Sequence, residues 1–205
     1  MKLYYSRGAC SLVPRIIINE LGLPCEFISV DLASKQTENG EDFYTINPKG
    51  SVPVIATDDN QILTENAAIL QYLADTNKAE KVLPFIGNFN RYRVIEWLNY
   101  VATELHKSFG PLFNKNFPQE AKDKIIIPLI KAKFAYVDRH LEKNQYLCGE
   151  EFTLPDAYLF VILRWALYFK FNLKEWPHLS RYLSEILVRK SIQQALKDEE
   201  LSMAM

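Results

Sequence analysis

The feature that most constrains this chain is a change of hydrophobic period near residue 80. Strand and helix signals alternate before it, and only helix signals follow. Lys2–Tyr5 is short and aromatic and gives way to Ser6-Arg7-Gly8, a strand running into a loop. Residues 11–21 carry Leu12, Val13, Ile16, Ile17 and Leu21 at helical spacing, and Gly22 with Pro24 stops them. Residues 26–30 form a second strand. Strand, helix and strand fit in about 30 residues, the length of a βαβ unit with its right-handed crossover. Residues 35–46 are polar and irregular, with at most a short helix. Asn47-Pro48-Lys49-Gly50-Ser51 is a turn cluster, residues 52–57 are a strand that begins at a proline, and Asp58-Asp59-Asn60 turns it into residues 61–63 as a hairpin. Thr64-Glu65-Asn66 precedes the apolar series Ala68, Ile69, Tyr72 and Leu73, so a helix starts there. The order β-α-β, irregular, β-β-α predicts a thioredoxin-like α/β domain with a four-stranded mixed sheet over residues 1–80.

After a linker at about residues 77–87, an all-α helical-bundle domain is expected over 88–205. Val94, Trp97, Leu98, Val101 and Leu105 form one stripe in residues 90–109, which Gly110-Pro111 is expected to end. Ile130, Phe134, Val137 and Leu141 form a second stripe, with a kink or a fresh start expected near Pro128. Phe152-Thr153-Leu154-Pro155-Asp156-Ala157 reads as a capping box in which the Asp156 carboxylate reaches back to Thr153. The helix it opens is apolar nearly all round, so it is central and buried. Two short helices follow, at 179–188 and 191–197.

Composition excludes several classes. The formal charge is −1 with no like-charge block, so nothing points to a nucleic-acid or membrane partner held by charge. No apolar run approaches the ~20 residues that span a bilayer, and the first residues lack the apolar stretch of a signal peptide. The three cysteines, Cys10, Cys25 and Cys148, show no CxxC spacing. A disulfide framework or a metal site is not expected, and free thiols fit a reducing cytoplasm.

Three places carry chemistry. Cys10 sits at a strand-to-helix turn, where free amides and the helix dipole favour a thiolate. The second cysteine of a redox pair would fall at Val13, so disulfide cycling within the motif is excluded. Val52-Pro53 reads as an extended residue before a proline; if that bond is cis, the Val52 backbone is offered to a short peptide as an added strand. The amides at Thr64-Glu65-Asn66 suit a carboxylate and the Glu65 side chain suits an ammonium, the two charged ends of an α-amino acid. Together the three sites describe glutathione.

The chain closely resembles the bacterial beta-class glutathione S-transferases over essentially its whole length. The stretches that carry the resemblance are Lys2-Leu3-Tyr4-Tyr5 with Gly8-Ala9-Cys10-Ser11-Leu12, Asn47 through Pro53, Leu63-Thr64-Glu65 and Ala68 through Leu73. In the second half they are Glu96-Trp97-Leu98-Asn99-Tyr100, Thr103-Glu104-Leu105-His106-Lys107, and Phe152-Thr153 with Asp156 through Phe160. The resemblance implies an enzyme that conjugates the glutathione thiolate to small, often hydrophobic electrophiles, with glutathione as co-substrate and no metal. It places Cys10 at the glutathione sulfur, Tyr5 in the glutathione site, Val52 at the backbone pair, Glu65 and Asn66 at the γ-glutamyl end and Lys35 near the glycine carboxylate. His106 and Lys107 of the helical domain would reach the sulfur region. Asn99 and Thr103 would reach across a homodimer, and the spacing of Asn99, Thr103 and His106 lets one helix face present all three. The helical domain would supply the electrophile pocket and the dimer contacts. Position 66 is a departure, because the family usually has a small Ser or Gly there. Trp97, Tyr100 and Tyr168 read as core or pocket wall, and His140 and His178 as solvated or capping residues. Two rival functions are a monothiol glutathione-dependent disulfide oxidoreductase acting through Cys10 and a non-catalytic binding protein that kept the fold. Relatives of the second kind tend to lose the thiol and the Glu65-type site, and both are present here.

Overall fold

A computed structural model describes residues 1–202. They form two compact units: one holds residues 1–79 together with the chain from Arg189 onward, and the other holds residues 80–188. The second half of the chain is therefore not one domain to its end, because the last helix belongs with the first unit.

The first unit is a five-stranded mixed sheet of β1 (Lys2–Tyr5), β2 (Glu26–Asp31), β3 (Gln36–Thr37), β4 (Val54–Ala56) and β5 (Ile62–Thr64), in the order β3-β2-β1-β4-β5. β1 and β2 are parallel, with Lys2 opposite Glu26, as a βαβ crossover requires. β4 is antiparallel to β1 (Tyr4 opposite Val54) and β5 is antiparallel to β4 (Val54 opposite Thr64). The expected four strands are all present, over-extended by a few residues at β4. The fifth, β3, has only two residues and lies in the stretch expected to be irregular; a strand that short has no alternation to read. Helices α1 (Leu12–Leu21), α2 (Phe43–Ile46) and α3 (Asn66–Thr76) complete the thioredoxin-like arrangement. Gly22 ends α1 in the left-handed conformation at φ 62°. Leu3, Leu12, Ile16, Ile17, Ile55, Ile69 and Leu73 are fully buried, so α1, α3 and the sheet share a core.

The second unit is all helical: α4 (Phe89–Tyr100), α5 (Lys107–Phe113), α6 (Gln119–Ala121), α7 (Ile127–Leu141), α8 (Leu154–Tyr168) and α9 (Pro177–Leu187). Two segments of π-helix interrupt it, Val101–His106 between α4 and α5, and Lys122–Ile126 between α6 and α7. Gly110-Pro111 does not end the first long helix, contrary to expectation; Pro111 lies inside α5 and the helix runs to Phe113. Proline in a helix removes an N–H and crowds the carbonyl four residues back. The π segment ends at His106, directly before Lys107, whose carbonyl stands four residues back from Pro111, and its wider i→i+5 ladder is one way a helix absorbs such a break. Pro128 behaves as expected, standing in the first turn of α7 directly after the second π segment.

Helix α8 is buried along nearly its whole length. Its start is the predicted box: Asp156 Oδ2 accepts from the Thr153 N–H and the Thr153 hydroxyl, both at 2.8 Å. Asp156 also does something outside the box. Its Oδ1 accepts from the Leu147 N–H at 2.9 Å and from the Tyr182 hydroxyl at 3.1 Å, so one carboxylate ties α8 to the preceding loop and to α9. The last helix, α10 (Lys190–Asp198), packs on α1 in the first unit; Arg189 and Ser191 both bond the Glu20 carboxylate there.

Candidate functional site

The sheet order determines which residues meet in the first unit. β1 and β5 run toward the edge of the sheet at which antiparallel β4 begins. The residues after β1, before β4 and after β5 therefore gather at one edge. They are the turn that carries Cys10, the Val52-Pro53 pair, and Glu65.

The Cys10 thiol donates to the Val52 carbonyl oxygen at 3.3 Å, and the Val52-Pro53 bond is cis. The turn around Cys10 is stitched locally: Ala9 N–H bonds the Ser6 carbonyl at 3.0 Å, and Ser6 N–H bonds the Ser11 hydroxyl at 3.0 Å. Cys10 then leads through Ser11 directly into α1, where the Leu12 and Val13 N–H groups bond back to the Ala9 and Cys10 carbonyls at 3.0 and 3.2 Å. At the third corner, Glu65 has φ 71°, a left-handed backbone that a non-glycine residue seldom adopts. That strain occurs where the chain must swing from β5 into α3, and it leaves the Glu65 side chain largely exposed. Its carboxylate pairs with the Lys49 ammonium at 2.5 Å, and the same ammonium bonds the Thr64 hydroxyl at 2.7 Å.

Asn66 is buried, and its amide donates to the Cys10 carbonyl at 3.2 Å. The departure from a small residue at position 66 thus has a structural use: it links the start of α3 to the thiol turn. Its Oδ1 is buried without a hydrogen-bond partner among the described residues, an acceptor left over at the site. The Lys35 ammonium bonds the Gly50 carbonyl at 2.7 Å, two residues before Val52. Tyr5 lies in the same unit, but its ring is used against Arg15, whose guanidinium stands 4.2 Å from the ring centre.

Two supports of this cradle went unread in the sequence. Asn47 is buried and organises the turn before Val52: its amide donates to the Ser51 carbonyl at 2.7 Å, and its Oδ1 accepts from the Lys49 N–H at 3.2 Å. An Asn opening a turn cluster was the available signal. The Lys49–Glu65 pair had none, because nothing local links a residue of the turn before β4 to one between β5 and α3.

In the helical unit, Asn99, Thr103, His106 and Lys107 lie along one continuous run. Asn99 and Thr103 are exposed, and the Thr103 hydroxyl bonds back to the Asn99 carbonyl at 2.9 Å. His106 does not share their face. The π segment contains Thr103 and His106, and its lower rotation per residue breaks the i, i+4, i+7 stripe that an unbroken α-helix would give. His106 turns to α8 instead: its Nδ1 hydrogen-bonds the Tyr158 hydroxyl and its ring lies 4.9 Å from that of Trp165. Trp165 also meets Phe113 at 5.1 Å, and Phe113 meets Phe169 at 4.8 Å, so His106 adjoins an aromatic patch. Lys107 is exposed. A separate cleft of about 700 Å³ in this unit is lined by Trp97, Tyr100, Tyr136, His140 and Cys148 among others, and by none of the expected site residues. His140 is not simply solvated: it packs 4.5 Å from Trp97 and its Nε2 bonds the Leu147 carbonyl at 2.9 Å. Tyr168 is exposed rather than core.

Among the described residues no group of His, Cys, Asp or Glu is placed to hold a metal ion, and no helix is long and apolar enough to cross a membrane. Burial pushes the other two thiols well up, Cys25 to about 11 and Cys148 to about 12.

A thiol at a strand-to-helix turn, facing the residue before a cis-proline on a thioredoxin-like sheet, defines a thiol-peptide enzyme class. Comparison with known proteins gives the family. Residues 8–76 match the model of the glutathione S-transferase N-terminal domain, and residues 100–190 match that of the C-terminal domain. Glutathione S-transferase GstA of Escherichia coli O157:H7 is 45% identical over 201 residues, covering 98% of this chain and all of that one. A sphingomonad glutathione S-transferase solved with glutathione superposes with a TM-score of 0.94 at 40% identity, covering 98% of this chain and 100% of its own. The bacterial beta-class enzyme of Sphingomonas chungbukensis superposes with a TM-score of 0.94 at 39% identity, over 98% and 100%. This chain belongs to the glutathione S-transferase family, and its resemblance to the beta class stands.

Proposed function

We propose that this protein is a glutathione transferase that conjugates the glutathione thiolate to small, often hydrophobic electrophiles, with Cys10 beside the glutathione sulfur. The observation that carries the proposal is the Cys10 thiol 3.3 Å from the carbonyl of Val52, at the residue before a cis-proline. An extended tripeptide pairing with the Val52 backbone runs its cysteine past Cys10. The γ-glutamyl end then lies toward Glu65 and Asn66 and the glycine end toward Lys35. Tyr5 contributes to the same site.

A free thiol has a pKa of about 8.5, so few molecules are ionised at neutral pH. Lowering it by two units requires about 2.7 kcal/mol of preferential stabilisation of the anion. The positive end of the α1 dipole, at which Cys10 stands, supplies this kind of stabilisation. His106 and Lys107 are assigned to the sulfur chemistry, and the aromatic patch of Phe113, Trp165 and Phe169 suits an aryl electrophile. Asn99 and Thr103, exposed and unused in packing, are assigned to contacts across a homodimer. The protein acts in the cytoplasm, where its three free thiols remain reduced.

Cys10 also suits thiol–disulfide exchange: its thiolate attacks a glutathione mixed disulfide, bonds to the glutathione sulfur, and releases the other thiol. Intact-mass spectrometry with and without reductant, beside conjugation of glutathione to an aryl halide, tests both activities. The expected result is glutathione-dependent conjugation, with any mass gain of one glutathione confined to Cys10. Absence of glutathione binding by calorimetry would refute the proposal and favour the non-catalytic alternative.

A further inference from the structure

The end of the described chain returns to the thiol turn. Glu199, the residue that ends α10, is buried, and its Oε2 accepts from the Gly8 N–H at 2.8 Å. Its Oε1 faces the Arg15 Nε at 3.1 Å. Arg15 is buried too, its guanidinium held between the rings of Tyr5 at 4.2 Å and Phe27 at 3.9 Å. The Glu199 main-chain carbonyl accepts from Arg7 Nε at 2.8 Å, and Arg7 also bonds the Glu200 carbonyl. Two successive residues of the thiol turn, Arg7 and Gly8, are thus tied to one buried acidic residue 191 positions away from Gly8 in sequence.

The tie is directional. Gly8 has φ 70°, a conformation glycine adopts without steric cost, and its N–H points to the Glu199 carboxylate at the end of α10. The internal bonds of the turn join Ser6 to Ala9 and Ser11, and they leave the Gly8 amide for Glu199. A charge-assisted bond in a buried setting is short and stiff, and catalytic geometry degrades steeply with displacement.

We infer that Glu199 is a positioning residue for the thiol turn, fixing Gly8 and through it the placement of Cys10 two residues on. The inference rests on the reading of Cys10 as the thiol-side residue of a glutathione site.

Three variants of the full chain separate positioning from general stability. Glu199→Gln keeps an oxygen for the Gly8 N–H but removes the charge opposite Arg15. Glu199→Ala removes both. Leu196→Ala, fully buried on α10, loosens that helix and leaves the Glu199 carboxylate and the Arg7 side chain in place. Each is assayed for its melting temperature, for the rate of Cys10 alkylation by iodoacetamide read by mass, and for the KM of glutathione in aryl-halide conjugation. All three should melt lower. Only Glu199→Ala should change the alkylation rate and the glutathione KM, by roughly tenfold, with Glu199→Gln within about twofold of the parent. If Glu199→Ala does not fold, Arg7→Ala, which cuts the two main-chain ties from the exposed side, should show the same changes at about a third of the size. A folded Glu199→Ala or Arg7→Ala with parental alkylation and KM overturns the inference, and so does a Leu196→Ala that shifts both as far as Glu199→Ala. Altered Cys10 alkylation in a protein that proves not to bind glutathione would leave the positioning role standing while removing the transferase reading.

Discussion

Replacing Asp156 by Asn changes one atom type at a buried side chain that joins α8 to α9. The carboxylate accepts four hydrogen bonds, two at each oxygen. An amide has one acceptor oxygen, so it can serve only one of the two sets. The hydroxyls of Thr153 and Tyr182 can rotate to accept from the new NH₂ group, but a backbone N–H cannot. Either Thr153 N–H or Leu147 N–H is then left buried and unpaired, which costs about 1–3 kcal/mol. In a chain of this size that lowers Tm by roughly 2–12 °C. The charge adds a pH dependence. Burial outweighs the four donors and pushes the Asp156 carboxyl from 3.8 up to about 6. A raised acid binds its proton more tightly in the folded state, so stability is greatest below the unfolded value. It falls as pH rises through the window from about 4 to about 6, and is flat above. Linkage across that window gives about 2 kcal/mol more stability for the parent at pH 4.5 than at pH 7.5, and Asn, which does not titrate, lacks this gain. Urea unfolding of both proteins at the two pH values, at one fixed protein concentration, reads the difference. An Asp156→Asn protein as stable as its parent at both pH values, or a gap that does not widen at pH 4.5, would refute the reasoning.

Cys10→Ser should abolish disulfide exchange and any mass gain of glutathione while largely preserving conjugation; loss of both activities would make the thiol central to each. At pH 8, iodoacetamide should label Cys10 well ahead of the other cysteines, because thiols raised to about 11 and about 12 are thiolate in only about one molecule per thousand and per ten thousand; peptide mapping of early time points decides this. Gly50→Ala places a Cβ 2.7 Å from the Tyr44 ring at a φ of 59°. It should cost about 1–2 kcal/mol in thermal unfolding and weaken glutathione binding in calorimetry, because the Gly50 carbonyl orients Lys35.

What could be read from the sequence was what is local. The box at Thr153 and Asp156 spans three residues, and α1 carries both its apolar stripe and its stop at Gly22, so each appeared where expected. The π segments have no such signature: 101–106 and 122–126 look like ordinary amphipathic helix, and the cost of missing the first was a wrong face for His106 and a false helix end at Pro111. The two-residue β3 is too short to show a period. Partnerships across the chain were invisible for a different reason. Glu199 meets Gly8, Glu65 meets Lys49, and Asp156 meets Tyr182 through tertiary packing, which periodicity does not encode.

The same contrast explains why three remote residues of the site were legible and their supports were not. Cys10, Val52 and Glu65 each stand at the end of a secondary-structure element, and each carries its own local mark: a thiol at a turn, a proline opening a strand, an acidic residue before a helix. Once strands are assigned to a mixed sheet with β1 and β4 antiparallel neighbours and β5 returning beside β4, those three ends fall on one edge by geometry alone. Asn47, Asn66 and Glu199 act a step behind them, gripping backbone groups of Ser51, Cys10 and Gly8. Such residues need only reach a main-chain atom. Many polar side chains on many elements meet that requirement, so only the folded structure identifies which ones do.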